Sequence, residues 1–168
     1  MAPDPLSSPP HAFPAGMPPL ATPGQRFAAR LIDIVVLGVI WTVALIATGA
    51  LQYTMNHPGE QHMGKVTLAL IITMAVYFGY EGVMLARSGQ TLGKRALRIR
   101  VAMLSDGDVP AGQGWVRAAV YVLPGMLIPL LVGTVFWLVN SASLLWDKPF
   151  QRCLHDKAAR TVVVSAAH

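Results

Sequence analysis

Two carboxylates interrupt the long apolar segments of this 168-residue chain, and they are the residues best placed to do chemistry. Asp33 is the single charged residue of segment 31–54, and Glu81 is the single charged residue of segment 66–86. A carboxylate in the middle of an apolar helix costs about 3 kcal/mol to place in a bilayer, so it normally faces a partner or a pathway. Such groups bind cations or relay protons, which makes both acids candidates for a functional site.

Basic and amide side chains are expected beside these acids. Arg26 and Arg30 precede Asp33 by seven and three residues, and this spacing brings all three to one face of an α-helix. Glu81 lies near the end of its own segment, so we expect it at a similar depth on the next helix. Asn140, near the end of a third apolar segment, is expected to join them.

This charge cluster has two interpretations. In the functional one it binds a cation or relays a proton, because carboxylates that lie close together in a low dielectric repel and one of them becomes protonated. In the structural one, pairing between arginine and aspartate holds the register of the helices, since the arginines already neutralise the acids. The residue types alone leave both interpretations open.

A short glycine-containing motif does not amount to a nucleotide site. Segment 89–94 (Gly-Gln-Thr-Leu-Gly-Lys) resembles a phosphate loop, but its glycines are too close together. Arg95 also stands where a serine or threonine would bind magnesium. We interpret the segment as a turn that ends a helix, and we expect no cofactor.

Histidine and cysteine residues likewise fall short of a catalytic or metal site. The pair His155–Asp156 has no nucleophile placed with it, and the histidines of loop 56–64 are those of a solvated turn. Cys153 is the single cysteine, so no intrachain disulfide can form. We therefore expect no metal and no enzyme activity.

The segments that carry these residues are apolar enough to lie in a membrane. Charged residues make up 12% of the chain, about half the share of a soluble domain, and segment 118–146 has none. A helix of roughly 20 apolar residues crosses the hydrocarbon core. The composition predicts an all-α membrane protein, a bundle of three or four transmembrane or re-entrant helices.

Basic residues indicate the cytoplasmic side of this bundle. The formal net charge is +5, and 12 of the 13 lysines and arginines fall in three clusters. Such clusters follow the positive-inside rule and lie near anionic lipid headgroups. Because no aromatic residues are interleaved with them, nucleic acid is not an expected partner. The N-terminus is expected in the cytoplasm and loop 56–64 outside.

Composition divides the chain into an arm and a membrane part. Residues 1–24 hold eight of the 13 prolines and are expected to be disordered. The membrane part is expected to contain helix 1, helix 2, a cytoplasmic loop, a third helical block and a cytoplasmic tail, at about 26–54, 65–86, 87–114, 115–146 and 147–168.

Two strand-like segments constrain the topology. Segment 97–101 alternates apolar and basic residues, and segment 161–164 is Thr-Val-Val-Val. A lone strand leaves its backbone groups unpaired, so we expect the two to form a small cytoplasmic β element. The chain must then return to the side of the loop. We interpret the third block, which Pro124 and Pro129 interrupt, as a bent or re-entrant hairpin, with one long crossing as the alternative.

Three motifs in this order resemble the RDD family of bacterial integral membrane proteins. They are segments 26–33, 89–107 and 151–164, and the resemblance predicts an RDD-like membrane domain over 25–164. The family is named for one arginine and two aspartates, which correspond by position to Arg26, Asp33 and Asp156. The closing motif usually has glycine before its threonine, where this chain has Arg160.

The resemblance implies a multi-pass protein of the bacterial plasma (inner) membrane that transports an unidentified ligand, with cation/proton antiport suggested for some members. Our first hypothesis is a small ion or proton transporter that is a homo-oligomer or pairs with another membrane protein. Asp33 and Glu81 would carry the ion, with Arg26 tuning their protonation. The alternative is a non-transporting assembly or partner protein whose basic loop and tail form a cytoplasmic docking surface.

Overall fold

The computed structural model describes residues 16–148 and 150–166, without the side chains of 128–130, and it confirms a mostly helical fold with one two-stranded sheet. Most of the arm predicted to be disordered, residues 1–15, lies outside the described residues. In chain order the elements are α1 Pro23–Ala47, α2 Ala50–Asn56, α3 Met63–Ser88, α4 Leu92–Ala96, β1 Ile99–Met103, α5 Gly112–Val122, a 3-10 helix Leu123–Leu130, α6 Val132–Ala142, a 3-10 helix Ser143–Leu145, α7 Leu154–Ala158 and β2 Thr161–Ser165.

The helices α1 and α3 are long and apolar enough to cross a membrane, with 25 and 26 residues. The core helix of a soluble protein would be mostly buried. Here only 17% of the most apolar stretch of α1 and 39% of that of α3 are buried. Valines such as Val35, Val39 and Val43 are exposed on α1. This apolar outer surface suits lipid rather than water.

The first apolar block forms two helices rather than the single helix expected to about residue 54. Thr22 caps α1 by accepting a hydrogen bond from the backbone N–H of Gln25, so the helix begins before Arg26. It ends at Ala47, and Gly49 has a φ of +67°, a conformation that glycine adopts without strain. The short helix α2 follows this break.

The third apolar block is broken, as its prolines indicated. The helices α5 and α6 have 11 residues each, and a 3-10 helix separates them. An 11-residue helix is too short to cross the hydrocarbon core alone. Whether the protein has three or four crossings stays a prediction.

The predicted pairing of the two strand segments is confirmed. The strands β1 and β2 are antiparallel, and Val101 lies opposite Val163. The strand β1 begins two residues later than predicted, because a helix that was not predicted, α4, occupies Leu92–Ala96. The sheet lies where α1 begins and α3 ends, since Ala21 donates to the Val163 carbonyl and Val101 donates to the Gly89 carbonyl. We call this region the sheet end.

The sheet end is built from one backbone pattern that occurs twice, 62 residues apart. Segments 89–103 and 151–165 each begin with a residue of positive φ. Each continues with a five-residue helix, α4 or α7, then a second residue of positive φ, Arg98 or Arg160, and a five-residue strand. In the second copy Arg160 has a φ of +53°, a conformation that glycine adopts with less strain than arginine.

The two copies face each other through equivalent hydrogen bonds. The N–H of Leu104 donates to the carbonyl of Arg160 at 3.0 Å, and the N–H of Ala166 donates to the carbonyl of Arg98 at 2.8 Å. Exchanging the copies leaves this pair of bonds and the strand register unchanged. The sheet end therefore has an approximate two-fold relation between its halves.

Candidate functional site

A buried charge cluster lies at the sheet end and is formed by α1, α3, α4, α5 and α7 together with the end of α6. It contains all six residues singled out from the sequence and three more charged or titratable side chains. Its members are Arg26, Arg30, Asp33, Glu81, Lys94, Arg117, Asn140, His155 and Asp156.

Asp33 caps the short helix α4 and is fully buried. Its Oδ2 accepts a hydrogen bond from the Thr91 hydroxyl at 2.7 Å, and its Oδ1 accepts one from the backbone N–H of Gly93 at 3.0 Å. The hydroxyl of Tyr80 donates to Oδ1 at 3.3 Å, and Lys94 Nζ lies 3.9 Å from Oδ2. Both carboxylate oxygens are thus used to attach α4 to α1.

Arg26 binds the backbone rather than Asp33, so it does not form the arginine–aspartate pair that the structural interpretation allowed. Its Nε donates to the carbonyl of Ala21 at 3.1 Å, and its Nη2 donates to the carbonyl of Val163 at 3.0 Å. Its Nη1 donates to the carbonyl of Gln151. A guanidinium presents donors in a fixed fork, so this one side chain joins the start of α1 to the closing motif.

Asp156 caps the short helix α7, as Asp33 caps α4. Its Oδ2 accepts a hydrogen bond from the backbone N–H of Cys153 at 3.2 Å, and its Oδ1 lies 2.7 Å from Arg117 Nε. Burial alone would raise the pKa of Asp156, but the Arg117 guanidinium holds it below its usual range. The carboxylate is therefore ionised and paired.

His155 is neutral, and its proton position follows from its neighbours. Arg117 Nη2 lies 2.8 Å from Nε2, and a guanidinium can only donate, so Nε2 is the acceptor. The proton therefore sits on Nδ1, which donates to Asn140 Oδ1 at 2.9 Å. Burial lowers the pKa of His155 well below its usual value, and Arg117 contributes in the same direction.

Glu81 is the one acid of the cluster whose oxygens are not all satisfied. It is fully buried in α3. Its Oε1 lies 3.4 Å from Arg30 Nη2 and 3.6 Å from Arg117 Nη1, both long for charged pairs. Its Oε2 has no hydrogen-bond partner among the described residues. Two guanidiniums thus approach one oxygen loosely and leave the other bare.

Lys94 is a buried amine among other cations. Burial, with a smaller contribution from the nearby charges of Arg30 and Arg117, lowers its pKa to about 7, although Glu81 and Asp33 act in the opposite direction. The Nζ donates to the Thr91 hydroxyl at 3.3 Å. This amine can gain or lose a proton near neutral pH.

The sequence profile of the RDD family matches residues 20–160, most of the chain. The chain belongs to the RDD family. Family membership and the two membrane-capable helices identify this RDD protein as an integral membrane protein. No curated protein and no solved structure shows significant similarity to it.

In this RDD protein, the arginine and two aspartates that correspond to the family name all bind backbone groups. Arg26 binds carbonyls, while Asp33 and Asp156 cap the helices α4 and α7. Asp33 and Arg26 attach α1 to the first and the second copy of the repeated pattern, and Asp156 caps α7 within the second copy. This geometry supports a structural role for these three positions, through contacts with the backbone rather than through pairing of Arg26 with Asp33.

Sequence reasoning missed Arg117, although a signal for it was present. Arg117 is the single charged residue between positions 109 and 146, as Asp33 is in its own segment. It is 2% exposed and contacts Glu81, His155 and Asp156. The rule that singled out Asp33 applies equally to a lone arginine in an apolar block.

Three potential metal ligands lie close together, but their ligand atoms are already hydrogen-bonded, ion-paired or protonated. One donor atom each of Cys153, His155 and Asp156 falls within 4.8 Å of the others. Both ring nitrogens of His155 are already hydrogen-bonded, to Arg117 and Asn140. Burial and the Asp156 charge raise the pKa of the Cys153 thiol to about 11, so it is not a thiolate. This arrangement does not fit a metal.

Proposed function

We propose that this RDD protein moves protons or small cations across the bacterial plasma membrane, with Glu81 as the carrier group. The observation that supports the proposal is the bare Oε2 of Glu81, buried within a membrane-capable helix. A buried carboxylate oxygen without a partner is costly, and binding a proton or cation removes that cost. The proposal involves no enzyme activity.

The arginines beside Glu81 balance its charge without binding both of its oxygens, so the carboxylate stays free to take up a proton or a cation. Arg30 and Arg117 contact only Oε1, at 3.4 and 3.6 Å. Each also has another anchor, because Arg30 stacks 3.7 Å from the ring centre of Tyr121 and Arg117 binds Asp156. Either guanidinium can therefore remain in place when Glu81 is protonated. Asp33, whose oxygens are engaged, is not assigned to carry the ion.

Flux through purified protein in liposomes tests this assignment. With a proton gradient and a pH-sensitive dye inside the vesicles, Glu81→Gln should lower proton or cation flux at least about tenfold, because the amide cannot take up a proton. Glu60→Gln changes an exposed loop acid in the same way and should leave flux unchanged. Size-exclusion chromatography verifies that both variants are folded.

Two results would contradict the carrier role. One is wild-type flux from a folded Glu81→Gln variant. The other is the absence of flux from the wild-type protein under both sodium and potassium gradients, with uncoupler-induced flux as the positive control for the vesicles.

The proposal also includes the topology and the assembly. The N-terminus and the sheet end would lie in the cytoplasm, in line with the basic residues there. Because two long helices and a broken block are few to enclose a pathway, we propose that copies of the chain associate. The exposed apolar residues of α1 provide surface for lipid or for a second copy.

A second candidate is a non-transporting membrane partner. It is supported by basic side chains that are exposed at the sheet end, namely Arg87, Arg95, Lys157 and Arg160. They would dock an acidic protein at the membrane surface. A stoichiometric partner that is lost on charge reversal of Arg95, combined with no flux, would favour this function.

A further inference from the structure

A cavity adjoins the charge cluster, and four of the side chains that line it are basic. Its volume is about 110 Å³. Its walls include Arg26 and Arg30 of α1, Lys94 of α4 and Arg117 of α5, together with one acid, Asp156.

The electrostatics of this cavity favour an anion. Four basic side chains line it against one carboxylate, and His155, which also lines it, is neutral. The other two acids of the cluster, Asp33 and Glu81, do not line it. A concave surface with an excess of one charge concentrates ions of the opposite sign.

Hydrogen-bond donors remain available to such an anion. Arg117 is 2% exposed, and its Nη1 has no hydrogen-bond partner among the described residues. The hydrogen bonds of Arg30 to Tyr77 and Glu81 are both 3.4 Å long, close to the outer limit. Buried donors of this kind are normally satisfied, and guanidiniums bind phosphate oxygens especially well.

The size and position of the cavity narrow the ligand further. Its volume is several times the roughly 10–15 Å³ that one water molecule needs, so it has room for one tetrahedral oxyanion. It is also lined by Phe27, which is 67% exposed, and by the exposed Ser141, so it reaches the surface beside the first turn of α1. That surface is where lipid headgroups would lie if α1 crosses the membrane.

We propose that this cavity is a binding site for a phosphate group, which is supplied by an anionic lipid headgroup or by free inorganic phosphate. The four basic side chains line the site, and Arg117 and Arg30 donate to the phosphate oxygens. The site does not depend on transport, since an anion can bind here whether or not Glu81 carries protons.

Two binding measurements on the full chain distinguish the sources. Isothermal titration of the detergent-solubilised protein with sodium phosphate tests free phosphate. Native mass spectrometry from nanodiscs of phosphatidylglycerol mixed with phosphatidylcholine tests for selective retention of the anionic lipid. Binding in the first measurement assigns free phosphate, and retention in the second alone assigns the headgroup.

Paired variants test whether this cavity is the site. Lys94→Met should weaken binding about tenfold or more, because it removes one charged donor from the wall. Arg95→Met removes the same charge from the adjacent exposed position and should leave binding unchanged. Ser141→Phe should abolish binding by filling the cavity without altering charge.

The proposal is overturned if neither measurement detects a phosphate group on the wild-type protein. It is also overturned if Lys94→Met and Arg95→Met weaken binding equally, since that result means attraction by surface charge alone. Wild-type affinity in a folded Ser141→Phe variant would place the phosphate elsewhere.

Discussion

Single residues of the cluster differ in how completely their polar atoms are paired. Asp33 accepts three hydrogen bonds, including one from the backbone of α4, whereas Glu81 leaves one oxygen bare. Removing a paired buried group leaves its partners unsatisfied, so it costs stability. Neutralising a buried carboxylate that has an unpaired oxygen instead removes the free-energy cost of burying its charge. We therefore expect Asp33 substitutions to affect folding and Glu81 substitutions to affect activity.

Replacing Asp33 by alanine should destabilise the protein by about 3–5 kcal/mol, the range for breaking a buried charged group out of its network. The Thr91 hydroxyl and the Gly93 N–H would lose their acceptor, and Lys94 would lose its nearest acid. Denaturant-dependent unfolding in detergent measures the change. Asp108→Ala, at an exposed position, is the matched control and should have little effect. Equal stability of the two variants would rule out the capping role.

At the scale of the elements, the close packing of α5 against α3 determines whether the Arg117 side chain reaches Glu81. A Cβ at Gly114 would lie 2.8 Å from the backbone nitrogen of Ala86 on α3, which is too close. The ring of Trp115 packs over Gly82 of α3, where a Cβ would also clash. The small residues at this contact thus bring the two helices together and position the Arg117 side chain.

Gly114→Ala should therefore destabilise the protein by about 1–3 kcal/mol, the usual cost of overpacking. Gly112→Ala is a control in the same turn of α5, where a Cβ would meet nothing within 4 Å, and it should not destabilise. Thermal unfolding of both variants in one detergent provides the comparison. Equal melting temperatures would mean that α5 does not need its close approach to α3.

The whole molecule is organised by the pairing of β1 with β2. The two strands are contributed by segments 62 residues apart, and their pairing places the central loop and the closing motif at the same end of the bundle. The charge cluster and the cavity lie where the two copies of the pattern meet: Lys94 of the first copy and Asp156 of the second, which occupy equivalent positions, both line the cavity.

This arrangement predicts the sidedness of the chain. Cysteines introduced at the exposed positions Asp108 and Ala158 should react with an impermeant maleimide from one side of the membrane, and a cysteine at Gln61 from the other. Cys153 is buried and should contribute little background. Labelling of positions 108 and 158 from opposite sides would contradict the pairing of the strands in the membrane-bound protein.

Much of the fold could be predicted because it depends on local composition. The lone charges in apolar blocks marked Asp33 and Glu81, and the proline positions marked the broken third block. The helix α4 and the turn at Gly49 were missed, since each depends on one or two residues within segments that have another dominant pattern. The repeated pattern was missed because it resides in backbone conformation more than in side-chain identity.

By itself, the sequence singled out six of the nine cluster residues, mainly because depth along an apolar helix follows from distance to its charged flank, and it missed Lys94, Arg117 and His155. Only the tertiary structure decided which charge meets which. The contact of Asp33 with Gly93 spans 60 residues, and that of Arg117 with Asp156 spans 39. A sequence pattern does not distinguish one arginine from another, because the partner of each arginine depends on how the helices pack. In the packed structure Arg26 donates to backbone carbonyls, and Oε2 of Glu81 has no hydrogen-bond partner among the described residues.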